Sequence, residues 1–492
     1  MKICLATRHA NAGFMPLALL YLKAYIVEHG GVAAGDVAII ERDRTTSGEA
    51  IADAVLATDP DVVGLSCYVW NIGAMLAAAR SIRAARPHVR IVLGGPEVGP
   101  VADAVLARNP DIDVIVRSEG EVPFCDLVRC WRDGGVVTDV AGISFRDGDR
   151  VVATVAAPIV RDLNRVVSPH LANYIDHAGR IICLETQRGC VFTCSFCFYN
   201  KDFSIRNRRF DTTRVLEELR YWLEQDVREI YLMDPVFNLN AERAKEICRF
   251  IAAHNHRKIP FHTEVWAEFV DDEMAELFAR ANFAFIEVGL QTSDHAVLEI
   301  VERRFKRQQF LEGIGHLKTH RLDFELQLIA GLPGETWETF RASLDFAASL
   351  RPPHLAVFDL MILPGTELWR KADSMGIDFD PEPPYEVRSH ATMSAEDIVR
   401  VRDVAQTVGA LWQFQVLRLL ARADGRSLTA LVDAWLAWHG GPVKRSELGA
   451  HLEAFITHCC ARWNIDAHFF LAGAAVELRA ASAAADDVKD HV

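Results

Sequence analysis

Along the first 380 residues, short apolar runs alternate with stretches whose apolar positions recur at helical spacing. In residues 1–140 the runs at 2–6, 37–41, 62–68, 90–93 and 114–116 read as buried strands, and 16–29, 51–57 and 72–86 read as helices. Strands that alternate with helices in this way predict a doubly wound parallel sheet. Residues 142–153 carry an Asp147-Gly148 turn between two short runs and read as a hairpin. With Ser168-Pro169 as a break, residues 141–180 are expected to be a linker.

A second alternation occupies residues 181–378. Strands are expected at 181–185, 229–233, 261–266, 285–290, 324–329 and 354–362, with helices at 214–225, 241–254, 273–281, 308–320 and 337–349. Six such units fit a partial (β/α)6 barrel of the TIM type. From 379 the pattern turns helical. Ser394-Ala-Glu-Asp397 has the form of a capping box and opens a helix expected to run through Trp412 to 421. Further helices are expected at 428–438, 447–463 and 467–481, forming an α-helical domain of residues 379–492 that caps the barrel mouth. Trp412, Phe414, Trp435, Trp438 and Trp463 read as packing residues.

Composition narrows the class. The 492 residues exceed one ordinary core, so two or three domains are expected. A net charge of −14 without basic clusters argues against a nucleic-acid surface. Eleven cysteines in no framework spacing point to a reducing compartment. The stretch 15–27 is interrupted by Lys23 and is too short to cross a bilayer, so a cytoplasmic enzyme without membrane attachment is the expectation.

The chemistry concentrates in Arg188-Gly189-Cys190-Val191-Phe192-Thr193-Cys194-Ser195-Phe196-Cys197. Three thiolates on one tight loop can hold three irons of a [4Fe–4S] cube and leave the fourth iron open, since closing it needs a fourth ligand. A structural zinc loop would also need a fourth Cys or His, usually in a second paired motif. Only Cys183 and His177 lie close upstream, and no second C-x-x-C follows.

This array resembles the signature of the radical S-adenosylmethionine (SAM) superfamily, including the aromatic Phe196 before the last cysteine. The first domain looks like the Rossmann-like cobalamin (B12)-binding domain that precedes the radical SAM core in one large subgroup. In open sheets ligands bind beyond the carboxyl ends of the strands, where this chain places Tyr68, Gly94, Gly95 and Glu121. One departure stands out: the Asp and His of the base-off cobalamin motif are replaced by Thr7-Arg8-His9-Ala10-Asn11. His9 is a candidate lower ligand or simply a hydrogen-bonding residue. Members of the subgroup bind cobalamin without the motif, and others keep the domain as an empty scaffold.

The resemblance implies a [4Fe–4S] cluster on Cys190, Cys194 and Cys197, and SAM chelated to the open iron. Asp234 and Pro235 occupy the place of the methionine amine site, and polar residues near Glu264 and Gln291 would meet carboxylate and ribose. Ala330, Gly331 and Leu332 would contact adenine. Asp234, Glu264 and Glu268 stand as candidate catalytic residues. Each has a plainer reading: Gly331-Leu332-Pro333-Gly334 as a tight turn, Asp234-Pro235 as a helix stop, Gln291-Thr292 as an N-cap pair.

The implied function is reductive cleavage of SAM to a 5′-deoxyadenosyl radical that abstracts hydrogen from a small-molecule substrate. The electron would come from a donor such as flavodoxin or ferredoxin. Cobalamin-dependent C-methylation in natural-product biosynthesis is the favoured outcome. The alternative is a cobalamin-independent dehydration, epimerisation or rearrangement of a polar substrate such as an aminoglycoside sugar. A third reading, a non-catalytic partner, leaves the intact cysteine triplet without a purpose.

Overall fold

The computed structural model describes the chain except residues 12, 173, 200–206, 445 and 490–492, and the side chains of 481–489. Its first unit alternates β1 (Ile3–Arg8), α1 (Leu17–His29), β2 (Val37–Arg42), α2 (Gly48–Leu56), β3 (Val62–Ser66), α3 (Ile72–Ala85), β4 (Arg90–Gly94), α4 (Ala102–Arg108), β5 (Val114–Val116) and α5 (Glu121–Asp133). The inner strands are largely apolar because helices cover both faces of a parallel sheet; five of six β1 residues are buried. Two apolar clusters, one per face, form its core.

The hairpin expected inside a linker has a different place. Its strands β6 (Ile143–Asp147) and β7 (Arg150–Ala153) extend this sheet, in the order β2-β1-β3-β4-β5-β6-β7. β6 runs antiparallel to β5, with Val114 opposite Phe145. Burial of Ile143 and Phe145 on the sheet explains the attachment.

The second unit begins at β8 (Ile181–Leu184). The short strands β9 (Gln187–Arg188) and β10 (Arg208–Arg209) pair antiparallel. There follow α6 (Thr212–Glu224), β11 (Glu229–Leu232), α7 (Ala241–His254), β12 (Phe261–Val265), α8 (Asp272–Ala281), β13 (Phe283–Gln291), α9 (His295–Ile300), α10 (Arg307–Thr319), β14 (Phe324–Ala330), α11 (Trp337–Ser349) and β15 (His354–Asp359). Six parallel strands in the order β15-β14-β13-β12-β11-β8 make the open barrel. The exposed edge of β8 is a liability that the chain covers itself. Met15 donates its N–H to Ile181 O at 3.1 Å, and Ile181 donates to Gly13 O at 2.9 Å.

The C-terminal part holds α12 (Glu367–Lys371), β16 (Asp378–Phe379), β17 (Val387–Ser389), α13 (Ala395–Leu411), α14 (Gln415–Leu420), α15 (Leu428–His439), α16 (Leu452–Trp463) and α17 (His468–Lys489). The capping box forms as expected, with Ser394 Oγ accepting from Asp397 N and the Asp397 carboxylate accepting from Ser394 N, both at 3.2 Å. The long helix expected to reach 421 instead breaks at 412–414. Glu477 of α17 accepts from the backbone N–H of Gln415 (2.9 Å) and Val416 (2.8 Å), so a distant carboxylate supplies a new helix start. One continuous apolar core joins barrel and cap, and Trp435 packs edge-on against Phe455 at 4.8 Å.

Candidate active site

The cysteine loop leaves β9 directly above the barrel. Gly189, at φ +80, makes the turn that a side chain would strain. Cys194 is 6 % exposed, and burial pushes the Cys197 thiol up to about 12, with Cys194 and Cys190 adding to the effect. The thiols thus sense one another. Yet among the described residues no group of three or more His, Cys, Asp or Glu is placed to hold a single metal ion. A spaced set of soft donors suits one thiolate per iron better than one tetrahedral zinc.

Beside the loop lies a cation that reading the sequence did not single out. Arg303 follows α9 and is 8 % exposed. Its Nη1 sits 4.0 Å from Cys194 Sγ, its guanidinium lies 4.5 Å over the Trp266 ring, and Nη2 donates to Gly289 O. Trp266 stacks on Phe192 with centroids 3.6 Å apart. Nothing local separates Arg303 from Arg304 or Arg307; only the return of the chain after β13 brings it to the thiols.

The expected strand-end residues divide by environment. Glu264 stays half-buried on β12 and accepts from Tyr231 Oη at 3.0 Å; burial, then the charge of Glu287, push its carboxyl up to about 7. Glu268 follows in a 3₁₀ turn, its carboxyl raised by burial with the charges of Arg303 and Lys306 pulling back. Gln291 ends β13 at φ +70 beside an irregularity in the strand register, and its amide folds over Gly289. Phe196 packs against the barrel core. Ala330 and Leu332 are buried, and Gly331, at φ +83, donates its N–H to Glu335 at 3.0 Å.

Asp234, a candidate catalytic and cofactor-binding residue, has a closed surrounding. It is 0 % exposed, and its oxygens accept from Thr186 N (2.7 Å), Gln187 N (3.1 Å) and Thr186 Oγ1. Those bonds leave it no face toward a substrate. Its neighbour Pro235 lies on the wall of a cavity between the two α/β units rather than at the cysteines.

That cavity, of about 350 Å³, opens beyond the carboxyl ends of β3, β4 and β5, between α1 and α5. Tyr68, Gly94, Gly95 and Glu121 all line it, as do Arg188 and Tyr199 of the barrel unit. Tyr68 stacks flat on Trp70 at 4.5 Å. A Cβ on Gly94 would meet Val116 Cβ at 3.8 Å, an ordinary contact. A neighbouring cavity of about 760 Å³ shares Ser118, Glu119 and Glu121. A bare glycine floor and aromatic walls fit a broad flat macrocycle such as a corrin. His9 is not part of this wall; it bonds Glu41 at 2.8 Å, which also holds Arg180 at 3.0 Å.

The radical SAM superfamily model matches residues 184–347, and the B12 binding domain model matches residues 4–128. The chain thus carries a segment that matches the radical SAM superfamily model, preceded by one that matches the B12 binding domain model. Among proteins similar to this chain is an uncharacterized methyltransferase, PH0819, of Pyrococcus horikoshii. It is 26% identical over 366 residues, 73% of this chain and 78% of the relative. The 2-(S-pantetheinyl)-carbapenam-3-carboxylate methyltransferase of Streptantibioticus cattleyicolor is 29% identical over 378 residues, 72% of this chain. The match spans about half (54%) of that relative. In fold, the chain is similar to the radical SAM methyltransferase TsrM of Kitasatospora setae. The TM-score is 0.64 at 18% identity, over 82% of this chain and 83% of TsrM.

Proposed function

We propose that this protein is a cobalamin-dependent radical SAM enzyme that methylates carbon in a small-molecule natural-product intermediate. The observation that carries this reading is that Arg188 and Gly189, which line the cavity, lead directly into the cysteine loop, where Arg303 lies against Cys194. When bound, the cluster and SAM supply a hydrogen-abstracting radical, and cobalamin supplies the methyl group.

The chain's own residues bind, orient and exclude water. Cys190, Cys194 and Cys197 would ligate three irons. Arg303, its guanidinium among Cys194, Trp266 and Gly289, would meet the SAM carboxylate. Gln291 and Glu268 would bound the SAM site beside it, and Gly331 with Leu332 would present backbone to adenine. Glu264, with its proton affinity raised close to neutrality, would hold or accept a proton next to the substrate. Asp234 would hold the loop's stem through Thr186 and Gln187. Tyr68, Gly94, Gly95 and Glu121 would seat the corrin. The match of residues 4–128 to the B12 binding domain model favours cobalamin over the cobalamin-independent alternative.

An electron donor such as flavodoxin or ferredoxin would serve the cluster. No helix among the described residues is long and apolar enough to cross a membrane. The decisive experiment is anaerobic reconstitution with iron, sulfide and hydroxocobalamin, followed by incubation with SAM and a reductant. Iron and cobalt retained by the protein, with 5′-deoxyadenosine formed, support the reading. Iron and 5′-deoxyadenosine without cobalt would return it to the alternative.

A further inference from the structure

One guanidinium stands where the two α/β units meet. Arg188, on β9 and two residues before Cys190, donates from Nη2 to Glu121 at 2.8 Å and from Nε to Glu185 at 2.9 Å. Glu119 lies 3.6 Å from its Nη1. The side chains of Arg188 and Glu121 are 10 % and 8 % exposed, so little water screens the pair. Arg208, opposite Arg188 in the β9–β10 pair, grips Glu119 with both terminal nitrogens. The Arg188 guanidinium also lies 4.7 Å over the ring of Tyr21 on α1.

The arrangement ties two cofactor sites to one side chain. Glu119 and Glu121 belong to the turn after β5 and the first residue of α5; Glu185 follows β8. Together with Arg188 they wall the cavity assigned to cobalamin. On the other side, only Gly189 separates Arg188 from Cys190, so anchoring Arg188 fixes where the cysteine loop starts to within one residue. Removing one partner of a buried pair is strongly unfavourable, so the carboxylates and Arg188 move as a group or not at all. A ligand filling the cavity bears on the carboxylates, and they bear on the first cysteine.

We propose that Arg188 is the positioning residue that couples occupancy of the cobalamin cavity to the geometry of the cluster loop, so that cluster and cobalamin bind with positive cooperativity. This rests on the cofactor assignment above. By linkage, each cofactor raises the affinity of the other by the same factor.

The test is an anaerobic absorbance titration of the full-length protein with hydroxocobalamin, with the cluster reconstituted and with it removed by chelation. The wild type is expected to bind at least about fivefold more tightly when the cluster is present, the lower end of typical coupling. In Arg188→Lys, which keeps the charge and loses the fork, and in Glu121→Gln, that ratio is expected to fall toward one. A merely structural weakening would lower both affinities and leave the ratio intact. Equal wild-type affinities with and without cluster would overturn the coupling alone. Hydroxocobalamin bound in neither state would overturn the cofactor reading and the coupling with it. Persistence of the ratio in Arg188→Lys also overturns the coupling, and Glu121→Gln decides in its place if Arg188→Lys does not fold.

Discussion

Asp234 and Thr186 form a closed unit: the buried carboxylate accepts both the backbone N–H of Thr186, at 2.7 Å, and its hydroxyl. Gln187 adds a third donor, and Arg243 donates to Thr186 Oγ1 at 2.8 Å. The end of β11 is thereby fastened to the stem of the cysteine loop, four residues before Cys190.

Asp234→Asn should therefore fail in assembly before it fails in chemistry. An amide puts a donor against one of these N–H or O–H groups, at a cost of about 1–3 kcal/mol. The expected result is a lower melting temperature and less iron per chain after reconstitution, with near-normal SAM cleavage per bound cluster. Full stability with abolished cleavage per cluster would restore a direct catalytic role.

Cys194→Ala removes the most buried of the three ligands. Reconstituted protein should lose its brown colour and most of its iron, and 5′-deoxyadenosine should fall to background. Cys460→Ala, on α16 in the cap, should leave iron content unchanged. Iron retained by a variant with all three loop cysteines changed to alanine would contradict the site.

Arg303→Gln should keep the cluster and weaken SAM. Losing a charge-assisted contact worth about 1.5–3 kcal/mol corresponds to an affinity loss of roughly ten- to a hundredfold. Equilibrium binding of SAM to the reconstituted protein measures it. Unchanged affinity would place the SAM carboxylate elsewhere.

Gly95 sits at φ +113, where a Cβ would run into the carbonyl oxygen of Cys67. Gly95→Ala should cost on the order of 1–3 kcal/mol in strain and reduce hydroxocobalamin uptake, read by absorbance, while iron uptake stays near wild type. Equal loss of both cofactors would indicate general unfolding instead of damage to the cavity floor.

Glu335 gives a pH signature. Burial raises its carboxyl from the ordinary range to about 8, so the folded state binds its proton more tightly than the unfolded chain. Its contribution is complete below about pH 4.5 and is lost as pH rises through 8. Wild type should lose stability relative to Glu335→Gln between pH 5 and 9, on the order of 2–4 kcal/mol. Parallel denaturant melts at the two pH values test this; identical pH slopes would show that the carboxyl titrates normally.

Local pattern was enough for the alternating strands and helices, the six barrel units, the Ser394 capping box and the three cysteines. Each depends on residues a few positions apart, through periodic burial, a local hydrogen bond or a shared loop. It was also enough to place Tyr68, Gly94, Gly95 and Glu121 at strand ends, because parallel sheets gather ligands there. The rest belongs to tertiary structure. The β6–β7 hairpin joins the first sheet because β5 offers a free edge, and the cap helix breaks because Glu477 arrives from α17. Arg303, which no local pattern singles out, lies against Cys194, and Asp234 is enclosed by Thr186 and Gln187. What a carboxylate or guanidinium does is set by which donors, rings and thiols surround it once water is gone, and those partners lie 14 to 109 residues away.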